Sequence, residues 1–157
     1  MRILFGLIYL TFLFVPNSCK TQEKAIATDQ LQNDSQIELV DSDDYSGIVE
    51  PENLVIRDTK SLTKFYAKIN RTRKPGLPIP TIDFAKHTVL IVCAGEQKPN
   101  TKMVLGYGNE DESELQIHLT KQKNVTSGDV GITVVTYPFY IYQIPFTEKT
   151  VKFEYTQ

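Results

Sequence analysis

Val89-Leu90-Ile91-Val92-Cys93-Ala94 is an unbroken apolar run, and it constrains the fold of this chain more than any other segment. Such a run reads as a strand covered on both faces, which demands apolar partners above and below it. Other segments supply faces of that kind. Leu115, Ile117 and Leu119 alternate with Glu114, Gln116, His118 and Thr120, and Val151, Phe153 and Tyr155 alternate with Lys152 and Glu154. Strict alternation is the pattern of a strand buried on one side only. Met103, Leu105 and Tyr107 form another strand face, Leu54 with Ile56 a first one, and Ile132–Tyr137 and Phe139–Phe146 complete the set, punctuated by Pro138 and Pro145.

One helix is legible among these strands. Leu62, Phe65, Tyr66 and Ile69 fall at i, i+3, i+4 and i+7, with Lys60, Lys64 and Lys68 on the opposite face. Thr59 or Ser61 can cap its start, and Arg71-Thr72-Arg73-Lys74-Pro75-Gly76 ends it. The expected fold is mainly β with a minor α+β character: an antiparallel β-sandwich or half-open barrel of about seven strands, with one N-terminal helix near 60–69 covering an end or a face. The lack of helices between strands excludes a parallel α/β architecture.

Composition divides the 157 residues into three parts. Arg2 precedes a thirteen-residue apolar stretch, Ile3 to Val15. That is shorter than the roughly 20 residues a membrane-spanning helix needs, and it matches the core of an export signal. The stretch ends at Val15-Pro16-Asn17-Ser18-Cys19. A small residue directly before a cysteine resembles a bacterial lipobox, so residues 1–18 read as a lipoprotein signal peptide and Cys19 as the lipidated, palmitate-type anchor. Lys20 to Asp44 carries seven acids against two lysines, without aromatic, glycine or proline. A segment like that cannot bury enough apolar surface to fold alone, and residues 19–44 are therefore expected to form a flexible acidic tether, with a reach of about 25–30 Å. Residues 45–157 carry 14 basic and 12 acidic side chains and form the folded domain. The whole chain has a net charge of −2, which argues against a nucleic-acid partner.

No catalytic constellation emerges. His87 and His118 are the two histidines, the first at a strand entrance and the second on the polar side of an alternating strand. A His87–Cys93 nucleophilic pair is excluded if both lie on one extended strand, since six residues separate them by about 20 Å. Cys93 lies in the apolar run without a C-x-x-C partner and reads as a buried small hydrophobe, and no metal site or cofactor is expected. Asn109-Glu110-Asp111-Glu112-Ser113-Glu114 is the densest acidic cluster; it lacks the alternate-residue spacing of a calcium loop and reads as a solvated β-turn. Asn-x-Ser/Thr sequons occur at Asn33, Asn70 and Asn124. Asp83, between Ile82 and Phe84, has the structural role of accepting backbone N–H bonds in the turn that follows.

The most informative stretch is Thr136 to Phe146. Both alternating faces are apolar or aromatic, with Tyr137, Phe139 and Ile141 on one and Tyr140, Tyr142, Ile144 and Phe146 on the other. A strand of this kind is either central and covered twice or presents aromatics to a partner, which makes Tyr137, Phe139, Tyr140 and Tyr142 the candidate binding residues. Tyr137-Pro138 is also a candidate cis bond in a tight turn.

Ser46-Gly47-Ile48, the helix near 60–69, Pro80-Thr81-Ile82-Asp83-Phe84-Ala85-Lys86 leading into Val89–Ala94 and Gly95-Glu96-Gln97-Lys98-Pro99, and Thr136-Tyr137-Pro138-Phe139 with Gln143-Ile144-Pro145 follow one another in a telling order. That order resembles the C-terminal domain of the protease-complex subunit PrcB family over about residues 46–155. The P-x-I-D-F segment before a buried strand ending in glycine is its most specific part. The family's Gly-Gly-Tyr turn after a proline is replaced here by Asn100 to Tyr107. The resemblance implies a non-enzymatic lipoprotein that supports the assembly or stability of a surface protease. The expected function is accordingly a bacterial envelope lipoprotein, lipid-anchored in the outer membrane, whose β domain binds or stabilises another envelope protein such as a protease. The alternative is binding of a small ligand or glycan through exposed aromatics.

Overall fold

The computed structural model describes residues 36–98, 101–123 and 134–156. The signal peptide, Cys19, the chain up to residue 35, two of the sequons, Asn33 and Asn124, and Ile132 and Thr133 of the expected strand Ile132–Tyr137 lie outside the described residues. Among the described residues the elements run β1 (Glu38–Asp43), β2 (Glu52–Ile56), α1 (Thr59–Ile69), β3 (His87–Cys93), β4 (Thr101–Glu110), β5 (Glu114–Lys123), β6 (Phe139–Pro145) and β7 (Thr150–Thr156).

The strands form two sheets, ordered β1-β6-β3-β2 and β4-β5-β7. The described strands form a sandwich and close no barrel. The first sheet is antiparallel throughout. In the second, β4 and β5 form an antiparallel hairpin while β7 lies parallel to β5. That one parallel pair departs from the all-antiparallel expectation: the chain leaves the second sheet after β5, lays β6 into the first, and returns.

β3 and β6 sit side by side in the middle of the first sheet, with Cys93 opposite Phe139, Ile91 opposite Ile141, Val92 opposite Tyr140 and Leu90 opposite Tyr142. One face of this pair, Val89, Ile91, Cys93, Phe139 and Ile141, packs on Leu62, Phe65, Tyr66 and Ile69 of α1. The other, Leu90, Val92, Tyr140, Tyr142 and Ile144, packs on Met103, Leu105, Leu115, Ile117 and Leu119 of the second sheet. The molecule therefore has three layers, helix over sheet over sheet. Each large side chain fully buried in these layers contributes about 1.5–3 kcal/mol relative to exposure.

The cap of α1 lies one residue before Thr59 and three before Ser61, the two caps expected from sequence. Asp58, with extended φ of −152°, is the N-cap: its Oδ1 accepts from the Ser61 amide at 2.8 Å, and its Oδ2 accepts from the Ser61 hydroxyl at 2.7 Å. Ser61 is thus a donor to the cap rather than the cap itself. At the other end, Asn70 closes the helix and pairs its side-chain amide with the Leu77 backbone, donating to the carbonyl at 2.9 Å and accepting from the amide at 2.8 Å.

The boundary expected at residue 45 is corrected. β1 pairs with β6 from Glu38↔Gln143 to Asp43↔Phe139, so residues 38–44 belong to the domain and not to a flexible tether. Four of the seven acids assigned to that tether, Glu38, Asp41, Asp43 and Asp44, lie on or beside the sheet. The physical reason is partnership across the chain. The Tyr66 hydroxyl donates to Asp41 Oδ2 at 2.5 Å, and Arg73 Nη1 donates to Asp43 Oδ2 at 3.2 Å. Val40 and Ile37 pack on opposite faces of the sheet.

Phe139 is fully buried between α1 and the first sheet, and its ring meets Phe65 edge to face at 5.8 Å. Phe139→Ala is expected to cost about 3–5 kcal/mol in chemical denaturation. Phe146, 44% exposed, is expected to cost less than about 1 kcal/mol when replaced by alanine.

Candidate functional site

Three of the four aromatic candidates are interior. Phe139, Tyr140 and Tyr142 are at most 8% exposed, and the two tyrosine hydroxyls are used inward: Tyr140 donates to the Thr101 carbonyl at 3.2 Å and Tyr142 to the Met103 carbonyl at 2.8 Å. Burial pushes the Tyr142 phenol up to about 12. Tyr140 and Tyr142 tie the two sheets together, Phe139 packs on α1, and none of the three presents its ring to solvent. Of the two readings of this strand the central, doubly covered one holds, and Phe139, Tyr140 and Tyr142 are corrected from candidate binding residues to core residues because β6 is flanked by β1 and β3 and covered on both faces.

Tyr137 is the candidate that reaches the surface. It lies just ahead of β6, where its amide donates to the Asp44 carbonyl at 3.0 Å and its carbonyl accepts from the Ser46 amide at 2.7 Å. These bonds carry the chain straight into β6 across Pro138, and the Tyr137–Pro138 bond is trans; among the described residues the cis bond is Lys74–Pro75. Tyr45, half exposed, meets the Tyr137 ring edge to face at 5.9 Å.

Two further loops frame this pair. Ser46 is buried, and its hydroxyl donates to the Tyr137 carbonyl and accepts from the Ile48 amide, which pins the turn holding Tyr45. On the neighbouring turn, Gly95 adopts a φ of +68°, and a Cβ there would stand 2.8 Å from the Val49 carbonyl. Only glycine allows this approach, which brings the Glu96 amide to 3.1 Å from that same carbonyl. Glu96 then stands beside the Tyr137 hydroxyl, which donates to Oε2 at 3.5 Å. Partial burial, the Glu96 charge and this bond push the Tyr137 phenol above its ordinary value, so it stays a donor. Val49 and Val135 are 55% and 45% exposed beside the tyrosines, and Asp44, Glu50 and Glu96 are exposed around them. Sequence reasoning found Tyr137 and missed Tyr45, Val49, Val135 and Glu96. Gly47 and Gly95, with their positive φ, were the available signals of tight turns that gather these residues.

The remaining candidates have structural roles or none. His87 and Cys93 are the two ends of β3, and burial, followed by the Glu52 charge, pushes the Cys93 thiol up to about 12. His118 lies on the outer face of the second sheet, its Nδ1 3.5 Å from Glu154 Oε2. Asp83 does what its position suggested: Oδ1 accepts from the Ala85 amide at 3.1 Å, and Oδ2 pairs with Lys86 at 3.0 Å. The hydrogen bond with Lys86, then that from the Ala85 amide, hold its carboxyl below the usual range. Asp111 organises the acidic turn, its Oδ1 accepting from the Ser113 and Glu114 amides at 2.7 Å each. Among the described residues no group of three or more His, Cys, Asp or Glu side chains could hold a metal ion. A shallow groove of about 240 Å³ lies beside β1, lined by Val40, Asp41, Leu77, Pro78, Ile79 and Pro80. The Asp41 carboxylate in it is already engaged by Tyr66.

These features define a helix-covered β-sandwich that carries an aromatic, acid-rimmed surface at one end. In comparisons with known proteins, no family model, curated protein or solved structure matches this chain.

Arg73 is what holds the Tyr45 turn to β1, since its guanidinium donates to both Asp43 and the Tyr45 carbonyl. Burial alone would raise the Asp43 carboxyl; the Arg73 hydrogen bond, the Tyr45 amide and the guanidinium charge outweigh it and hold the carboxyl below its usual value. A carboxyl with a depressed folded pKa stabilises the fold above its unfolded value of about 3.9, and that contribution is lost as pH falls through the folded value. Asp43→Asn is therefore expected to destabilise by about 1–2 kcal/mol at pH 7. The gap from the parent protein in urea titrations is expected to close below about pH 4.

Proposed function

We propose that this chain is a non-enzymatic lipoprotein of the bacterial cell envelope, anchored in the outer membrane through Cys19, whose β domain docks another envelope protein. The resemblance to the PrcB family supports a protease as that partner. The observation that carries the docking reading is the surface built from Tyr45, Tyr137, Val49 and Val135. Exposed Tyr45, Val49 and Val135 beside a partly buried Tyr137 have the composition of a protein interface core, while carboxylates around them supply a polar rim.

The described histidines and the cysteine support a binding role over hydrolysis. His87 and Cys93 stand about 20 Å apart on one strand, and Cys93 has no solvent access. A small ligand or glycan calls for a concave site, and the groove beside β1 is lined by none of the exposed tyrosines. That geometry favours a protein over a small ligand as the occupant.

In this proposal the residues between Cys19 and β1 act as a spacer with a reach of about 20–25 Å. Cys19→Ala is expected to abolish acyl labelling and to release the protein from the membrane fraction; continued membrane association would overturn the anchor. Affinity purification from detergent-solubilised envelopes is expected to recover one protein in near-stoichiometric amount. Tyr45→Ala with Tyr137→Ala is expected to reduce that recovery at least about tenfold, hot-spot truncations costing about 2 kcal/mol. Recovery of bulk lipoproteins alone, unchanged by the tyrosine substitutions, would overturn the docking reading.

A further inference from the structure

The charges around the tyrosine surface indicate what kind of chain it takes. Asp44, Glu50 and Glu96 are all exposed, and none of them forms an ion pair among the described residues. The cation bonded within this end, the Arg73 guanidinium, is committed to Asp43 and the Tyr45 carbonyl, so it neutralises none of the three. We infer that the acid-rimmed Tyr45–Tyr137 end of the sandwich docks a basic, apolar segment of a partner protein, with lysine or arginine side chains reaching the rim and the tyrosine rings.

This inference rests on the docking reading above and names the chemistry of the partner. A half-exposed tyrosine beside carboxylates suits a cation twice over, through the negative face of the ring and through the charge next to it. Val49 and Val135, both exposed, offer apolar contacts to side chains of such a segment. Uncompensated rim carboxylates attract a positive chain over several ångströms and repel a negative one, which sets partner choice and association rate more than bulk affinity.

Charge also argues against the two occupants this chain could itself supply. A second copy docking through the same surface would bring the same three carboxylates against the rim, and a peptide of this chain among the cross-links would reveal any other self-contact. The segment Lys20–Ile37 carries three acids and two lysines and has no surplus positive charge to offer.

The test places a photo-cross-linking benzoylphenylalanine at Tyr45 in the full-length protein in intact envelopes, with Lys102 on β4 as the reference position, and identifies the cross-linked peptides by mass spectrometry. The expected result is a peptide from another protein with several lysines or arginines and net positive charge. Its yield is expected to fall about tenfold when Asp44, Glu50 and Glu96 are changed to lysine, three rim charges at the usual size of an exposed pair. A smaller fall is expected for the milder change of all three to Asn or Gln, with thermal unfolding unchanged in both sets. A neutral or acidic peptide, a peptide of this same chain, or a yield indifferent to the charge changes would overturn the inference while leaving docking intact. Cross-links at Lys102 and not at Tyr45 would overturn the surface alone. Absence of protein cross-links at both positions, together with failure of the affinity purification, would overturn both.

Discussion

The pairing of β3 with β6 is the constraint on which the rest of the structure depends. Each strand is apolar on both faces, so neither can lie at a surface, and together they create two separate demands for cover. α1 meets one demand with a single face of four side chains. The alternating strands of the second sheet meet the other. Because a packed interior tolerates few voids, the aromatic side chains of β6 have no freedom to serve both a core and a ligand. Their burial leaves the turns at the end of the strand, and not the strand itself, as the place where Tyr45, Val49 and Val135 meet solvent.

Most of this architecture is legible in the residues. The unbroken run Val89–Ala94 announces a doubly covered strand, the period of Leu115–Leu119 a half-covered one, and the spacing of Leu62 to Ile69 a helix face, because each of these patterns is local. β1 is illegible for the opposite reason. Glu38-Leu39-Val40-Asp41-Ser42-Asp43 has three acids in six residues, and what turns them into a strand is remote: a tyrosine 25 positions away, an arginine 30 positions away, and the free edge of β6. The helix cap shows the same effect on a smaller scale, since Asp58 outcompetes the hydroxyls of its neighbours by offering two charged acceptors to Ser61.

The candidate surface was legible only at Tyr137. Tyr45, Val49, Val135 and Glu96 come from three different turns, and nothing in the spacing of the residues brings them together. The geometry does so through ordinary means: a buried serine hydroxyl, an arginine shared by a carboxylate and a carbonyl, and a glycine that allows one backbone to approach another. Sites assembled from loops on a rigid frame tend to be hidden from sequence periodicity in this way.

The position of β1 also dictates an order of events. It is first in the chain and pairs with β6 alone, about a hundred residues later, and β6 itself needs β3 beside it. A chain emerging from its N-terminus therefore carries an acidic segment without a strand partner until β6 has been made, and the second sheet stays incomplete until β7 follows. Contacts of such long sequence separation are slow to form and close late. The leading strand of this molecule is consequently among the last to find its place, and its net negative charge keeps it soluble while it waits.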